Sequence, residues 1–474
     1  MCNRNAAWQP AGQTDGEIMI PSWMKLLRRQ QGGQPASRPV EEPPPPAPAP
    51  EEAAEEDVVP VTSAIGRYLL RQPILNQAQH IIGYELALRN QLGVDVSAST
   101  QTLADETLLS SVVQLDLRSQ AGRRHIFITL GPDLLDSSWI AMLPAAMVVL
   151  IVDAERIAED TMDHLLAVCQ KRAADGFQLG LSNLPDADWI NPLLVRVQWL
   201  KFDLRQLDAI AFSQQAENLR SHCQARILVS NVDTQDDFQA AGNLGFDAFE
   251  GYYFATRNPQ APRRIDNDRV RIMELLNLAA SKAPYPELEQ GIKHDVLLSY
   301  RLLTYINSPL NPLSRRIDSI AQALMYLGYE PLYRWLTLLL YVKEEDGSAT
   351  DAALLQNALV RGRIMETLGR RYLTAEDADS LFVTGMFSLL DVLLNVPMTE
   401  ALAQLSLREN VSRALLEGHG PYAPYLRLAI AFEDADQKTL STLADELLLD
   451  PVALNGMHYE AINWAMQLGV SDRQ

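Results

Sequence analysis

Side chains that could do chemistry are few and scattered in this 474-residue chain. His294 and Asp295 are neighbours, and an imidazole beside a carboxylate can begin a metal site. A bound cation needs further ligands, and the seven histidines stand singly, with none in a ligand-like pair, so no metal centre is expected there. Cys169 and Cys223 lack a matched His at any readable spacing and read as buried structural thiols. With Cys2 they make an odd, widely spaced set that fits neither a disulfide framework nor a CxxC metal site, which implies a reducing compartment. Ser182 has no GxSxG elbow around it, and neither GxxxxGK[ST] nor HExxH occurs.

Charge narrows the classes further. The 40 Lys and Arg face 60 Asp and Glu, a net charge of −20 that repels phosphate backbones, so no nucleic-acid partner is expected. A membrane helix needs about 18 apolar residues, and the best run, Trp139 to Val152, is shorter and carries Pro144. The start of the chain also lacks a basic region followed by an apolar core and a cleavage site, and the expected location is the cytoplasm.

Residues 1–60 read as a disordered Pro/Glu-rich tail, with Glu41-Glu42-Pro43-Pro44-Pro45-Pro46 and an Ala/Glu run up to Asp57. Within it, Ile18 to Arg29 has a possible N-cap at Ser22 and would expose Trp23, Leu26 and Leu27 as a short helix or docking peptide. Short apolar runs follow at Tyr68–Asn76, His125–Leu130, Met147–Val152, Phe177–Leu181, Val197–Phe202, Arg226–Val229 and Phe246–Phe249. Helical stretches such as Ile157–Ala174 lie between them, which predicts βα units around parallel strands, in a barrel or a doubly wound sheet. Beyond residue 262 the pattern turns helical at Val270–Leu278, Val296–Ile306, Ile320–Leu327, Leu332–Val342 and Leu354–Leu368, with breakers at Pro284, Pro286, Pro309, Pro312 and Pro331.

Arg71-Gln72-Pro73-Ile74-Leu75, followed by Ile82-Gly83-Tyr84-Glu85-Leu86-Ala87-Leu88-Arg89, resembles the opening of EAL domains, whose active members hydrolyse cyclic di-GMP. There a Q-P-I strand leads into G-x-E-A-L-L-R. The resemblance continues through Lys201-Phe202-Asp203, Val232-Asp233-Thr234 and Gly245 to Phe254, and so covers residues 66–260. It implies a modified (β/α)8 barrel with its chemistry at the C-terminal strand ends. Active members gather an acidic cluster and one Asn around two divalent cations that activate a water for attack on phosphorus.

Here Glu85 keeps the first Glu and Lys201 the family's Lys. The Asn, however, falls at Thr129, the Glu of the L-E-I strand at Ile151 and the Asp-Asp pair at Ser182-Asn183. The Glu of A-E-G-V-E-T falls at Ser230, and the Gln before Gly-Tyr at Glu250. One carboxylate and one ammonium cannot organise two hard cations, so no metal, no cofactor and no phosphodiesterase activity are expected. Gln72 and Arg89 match positions that contact the ligand in the family, and an Arg can hold a phosphate bidentately. With Glu85, Lys201 and Asp203 they form the candidate nucleotide-binding set. The alternatives are structural, with Gln72 and Arg89 kept for barrel closure and Glu85 as a buried partner of Lys201, or a residual phosphodiesterase using Asp153, Asp203 and Asp233 as substitute ligands.

Residues 264–460 resemble an HDOD domain, an HD-related output module often joined to EAL domains in bacterial signalling proteins. Ile292 to Ser308 is similar to I-x-x-D-P-x-L-x-x-K-L-L-x-x-x-N-S, with Asp295-Val296 for Asp-Pro, and Ile317 to Gly328 to I-x-S-I-x-x-A-I-x-x-L-G. Asn307-Ser308-Pro309 reads as a helix end whose side chains bond loop amides. Leu297, Leu298, Arg301, Leu302 and Tyr305 read as a mostly buried stripe with a flank that could meet a protein. The whole implies an α/β plus all-α signal-transduction protein without catalysis of its own. It would bind cyclic di-GMP through a degenerate EAL barrel, a protein partner through its HDOD domain, or a second copy of itself.

Overall fold

The computed structural model describes residues 69–88, 98–113, 117, 124–206, 223–258, 261–308, 316–342, 349–434 and 436–467. The tail 1–60, its segment 18–29 and Arg89 lie outside the described residues. Eight strands close into a barrel in chain order: β1 Leu69–Asn76, β2 Ile81–Leu88, β3 His125–Leu130, β4 Val148–Asp153, β5 Gln178–Ser182, β6 Trp199–Asp203, β7 Arg226–Ser230 and β8 Ala248–Glu250. Strands β2 to β8 run parallel, whereas β1 is antiparallel to both its neighbours. The expected apolar runs all become strands, and β2 is added from inside the Ile82–Arg89 motif. The reversal of β1 follows from its connection to β2, which is too short to carry a crossover. Gln79 there takes φ 64°, and Asn76 Oδ1 accepts the His80 amide at 2.9 Å.

Alternation along the strands fills the lower barrel with hydrocarbon from Ile74, Phe127, Val149, Ile151, Trp199, Leu228 and Ala248. Phe127 and Trp199 meet edge to face at 5.1 Å. Gly180 makes the room, because a Cβ at that position would sit 2.3 Å from Ile151 Cδ1 and 2.9 Å from the Trp199 carbonyl oxygen. This hydrocarbon layer separates the polar groups at the C-terminal end of the barrel from Gln178 and Arg226 at the other end, where Gln178 Oε1 accepts the Trp199 indole N–H at 2.9 Å and Arg226 lies over the Trp199 ring. Outside it lie α1 Ala98–Val113, α2 Met162–Ala174 and α3 Gln235–Asn243, the last opened by a capping box between Thr234 and Asp237.

The second half is helical: α4 Asn267–Ala280, α5 Tyr285–Lys293, α6 Val296–Ile306, α7 Ile320–Leu327, α8 Tyr329–Leu339, α9 Ala349–Tyr372, α10 Ala375–Phe387, α11 Leu390–Leu394, α12 Met398–Ala403, α13 Glu409–Glu417, α14 Ala423–Glu433, α15 Gln437–Glu446 and α16 Pro451–Gln467. Asp295 is the N-cap of α6. Its Oδ1 accepts the Leu297 and Leu298 amides at 3.0 and 2.9 Å, and its carboxylate pairs with Arg271 at 3.0 Å. Asn307 ends α6, bridging Leu303 and Ile317 through its side-chain amide. Leu298, Leu302 and Tyr305 are buried, while Val296 and Tyr300 are 84% and 65% exposed. One hydrophobic core runs through both halves, with α9 and α14 packed against β1 and the segment after β8. Among the described residues, no helix is long and apolar enough to cross a membrane.

Candidate functional site

At the C-terminal end of the barrel, β2, β6 and β8 each point one ionisable side chain inward. Lys201 Nζ lies between the carboxyl groups of Glu85 and Glu250, hydrogen-bonded to Glu85 Oε2 and 2.8 Å from Glu250 Oε2. Thr129 of β3 donates its hydroxyl to Glu85 Oε1 at 2.7 Å. All three ionisable side chains are largely withdrawn from water. Burial alone would raise the Glu85 carboxyl, but the Lys201 charge and the hydrogen bonds of Glu250, Lys201 and Thr129 outweigh it and hold the group at about 2. Glu250 goes the other way, pushed well above the usual carboxylate range by burial and by the negative charge of Glu85. Burial works against the Lys201 charge, yet the two carboxyls keep it above its ordinary value. The site thus holds an ammonium between two buried carboxyl groups that are pushed in opposite directions, Glu85 down and Glu250 up.

Around this trio the inner face carries Thr129, Ile151, Ser182 and Ser230. Ser182 is opposite Lys201 in the β5–β6 register, and its buried hydroxyl has no hydrogen-bond partner among the described residues. Ser230 donates to the Phe202 carbonyl at 3.1 Å. This donor set does not suit a pair of divalent cations: its two carboxyl groups are both held by one ammonium, with hydroxyls and an aliphatic chain in place of further charges.

Above the trio a repeated device covers the rim. Asn183 and Asn231, each following the last Ser of a strand, take φ 49° and 62° and reach back to the preceding strand. Asn183 Nδ2 donates to Asp153 Oδ1 at 3.0 Å, and Asn231 Nδ2 to Asp203 Oδ1 at 2.7 Å. Asp203 Oδ1 also accepts the Arg205 amide at 3.0 Å, and the Arg205 guanidinium pairs with Asp233 at 2.8 Å.

Of the candidate residues, the structure brings Glu85 and Lys201 into contact and places Gln72 opposite Glu85 on the same face of the β1–β2 pair. Asp203 stands at the rim in the Asn231 contact, and Arg89 is outside the described residues. Glu250 is not among the residues that sequence reasoning selects, although it completes the trio. Its signal is an acid directly after the apolar run Ala248-Phe249 and before Gly251. That glycine has φ 147°, and a Cβ there would lie 2.1 Å from the Val232 carbonyl oxygen. Ser182-Asn183 and Ser230-Asn231 are a second signal, the same dipeptide at two strand ends. Burial pushes the Cys169 thiol up to about 11, in keeping with a structural thiol. Among the described residues, no three His, Cys, Asp or Glu side chains stand together as a metal-holding group.

A closed eight-stranded barrel with a buried Glu–Lys–Glu trio at its C-terminal end, joined to an all-helical half, defines the class. Residues 266–417 match the family model of the HDOD domain, and the helical half contains that domain. Over most of its length the chain is homologous to the cyclic di-GMP phosphodiesterase CdgJ of Vibrio cholerae, with 28% identity over 412 residues, 85% of this chain and 93% of the relative. It is 25% identical over 412 residues, 85% of this chain and 98% of the relative, to the uncharacterized protein YuxH of Bacillus subtilis. Among solved structures, the FimX EAL domain from Pseudomonas aeruginosa bound to c-di-GMP overlaps 42% of this chain and 95% of its own, with 18% identity and a TM-score of 0.32.

Proposed function

We propose that this protein acts in cyclic di-GMP signalling by binding, without hydrolysing the nucleotide. In this reading the mouth of a barrel module spanning 66–260 receives cyclic di-GMP, and an HDOD module spanning 264–460 presents the response to a protein partner. The observation that carries it is Lys201, whose ammonium is clamped between Glu85 and Glu250 where hydrolysis would need carboxylates free to hold two metals. An ammonium at the base of the mouth, with a hydroxyl at Ser182 still unpartnered, suits a phosphate oxygen. The homology to a cyclic di-GMP phosphodiesterase supports the ligand class. The free thiols Cys169 and Cys223 suit a reducing cytoplasm, where we place the protein.

Metal-dependent hydrolysis is the second reading, and the name of the Vibrio relative favours it. It would require Asp153, Asp203 and Asp233 to leave Asn183, Asn231 and Arg205. Calorimetric titration of the full chain with cyclic di-GMP, with and without Mg²⁺, separates the two. Saturable heat with the nucleotide recovered intact is expected, weakened at least tenfold in Lys201→Met. Absence of heat would end the receptor reading and leave a scaffold for proteins, in which a second copy of the chain is one partner to test.

A further inference from the structure

The two halves meet around a cavity with a largely apolar wall, into which Arg71 of β1, Tyr252 after β8, Gln356 and Asn357 of α9, Glu433 of α14 and His458 of α16 bring polar groups. The carboxylate in it is already answered. Glu433 takes a bidentate contact from Arg361 at 2.6 and 2.7 Å and the Asn357 amide at 2.9 Å. Two donors are not. Arg71 Nη1 and Gln356 Nε2 are both shielded from solvent and hydrogen-bond to nothing among the described residues.

Gln356 is only 4% exposed, and its Oε1 is engaged by the Tyr84 hydroxyl and, at 3.5 Å, by Arg124. That leaves the NH₂ end without a partner. The Arg71 guanidinium lies over the Tyr84 ring at 4.0 Å and forms no ion pair among the described residues. Burial and the nearby Arg71 hold the His458 imidazole down at about 3, so it adds no charge. Glu433 is taken up by Arg361, which also faces Asp434, so Arg71 is left in the cavity wall without a carboxylate bonded to it among the described residues. A buried guanidinium without an acceptor is costly, and two unanswered donors lining one space call for one.

We propose that this cavity is a binding site for a small oxyanion of carboxylate or phosphate size, held by Arg71 Nη1 and Gln356 Nε2 between the barrel and the helical half. Such an ion would tie β1 to α9. It would also stand beside Tyr252, whose hydroxyl donates to the Arg71 carbonyl at 2.8 Å and which lies two residues from Glu250.

The test is thermal unfolding of the full chain at constant ionic strength, with chloride exchanged stepwise for formate or for inorganic phosphate. A saturable rise in Tm is expected with at least one of the two ions, lost in Arg71→Met, at least halved in Gln356→Leu and retained in Lys201→Met. A rise that persists in Arg71→Met, or one that disappears in Lys201→Met, would put the ion elsewhere and overturn the proposal. So would the absence of a saturable rise with either ion. Should Arg71→Met fail to fold, Gln356→Leu keeps the side-chain shape while deleting the donor, and an undiminished rise in that variant would overturn the proposal equally.

Discussion

Lys201 stands between two buried carboxyl groups that are pushed in opposite directions, Glu85 down by the ammonium and Glu250 up by burial and by Glu85. The two carboxyls leave opposite marks on stability. Glu85, held at about 2 against an ordinary 4.5, stabilises the fold above the unfolded value, and that contribution is lost as the pH falls from 4.5 towards 2. Glu250 ionises in the unfolded chain first, so rising pH erodes stability by at most about 1.4 kcal/mol per pH unit for its one proton. Glu250→Gln removes that proton and keeps an amide donor for Glu85. The Tm of Glu250→Gln relative to wild type is therefore expected to climb as the pH rises above 4.5; a constant difference would contradict a raised Glu250 carboxyl. Lys201→Met strands Glu85 and is expected to cost about 3–5 kcal/mol in urea unfolding at neutral pH. At this scale the Glu85–Lys201 contact is legible in the sequence, because both residues sit in recognisable motifs. Glu250 is legible only as an acid at the family's Gln position, since nothing local says that it will meet Lys201 and Glu85 across the barrel mouth.

At the scale of elements, the inward rows of the barrel depend on Gly180. Gly180→Ala would drive a methyl group against Ile151 and the Trp199 carbonyl, and is expected to destabilise by about 1–3 kcal/mol on urea denaturation. Shortening Ile151 to Ala in the same chain should recover part of that loss, which a double-mutant cycle would detect. The expected runs Val296–Ile306 and Ile320–Leu327 coincide with α6 and α7, because their ends are written locally in the Asp295 cap and in Gly328. The run expected at Leu332–Val342 instead folds as Tyr329–Leu339. Pro331 falls in the first turn, where its missing amide N–H costs nothing, so it opens the helix rather than breaking it. Strand β2 lies hidden because its Ile81–Leu88 sequence is buried at most positions and lacks a clean alternation.

For the whole molecule, hydrogen bonds between the halves run from Tyr84 of β2 to Gln356 of α9 and from the Leu69 amide to Asn455 Oδ1 at 3.3 Å, while a buried ionic contact ties α9 to α14 within the helical half. Glu433 and Arg361 are both largely buried, and Arg361 also donates to Ser388 at 2.9 Å. Glu433→Gln removes the charge that Arg361 needs and is expected to cost about 3–5 kcal/mol in urea unfolding of the full chain. An unchanged unfolding free energy would mean that the pair adds nothing to the packing of α9 against α14. The two-part architecture is legible in the change from strand-spaced to helix-spaced apolar runs, but their meeting surface is not, because it joins β1 to helices from the far end of the chain.

The central claim, that the barrel has kept a pocket and lost the hydrolytic chemistry, meets its most direct test in one assay. The full chain is incubated with cyclic di-GMP and Mg²⁺ or Mn²⁺, and the linear dinucleotide is quantified against a protein-free control. No product above the control is expected from wild type or from Lys201→Met. Metal-dependent product that disappears in Glu85→Ala would contradict the account and make the protein an enzyme.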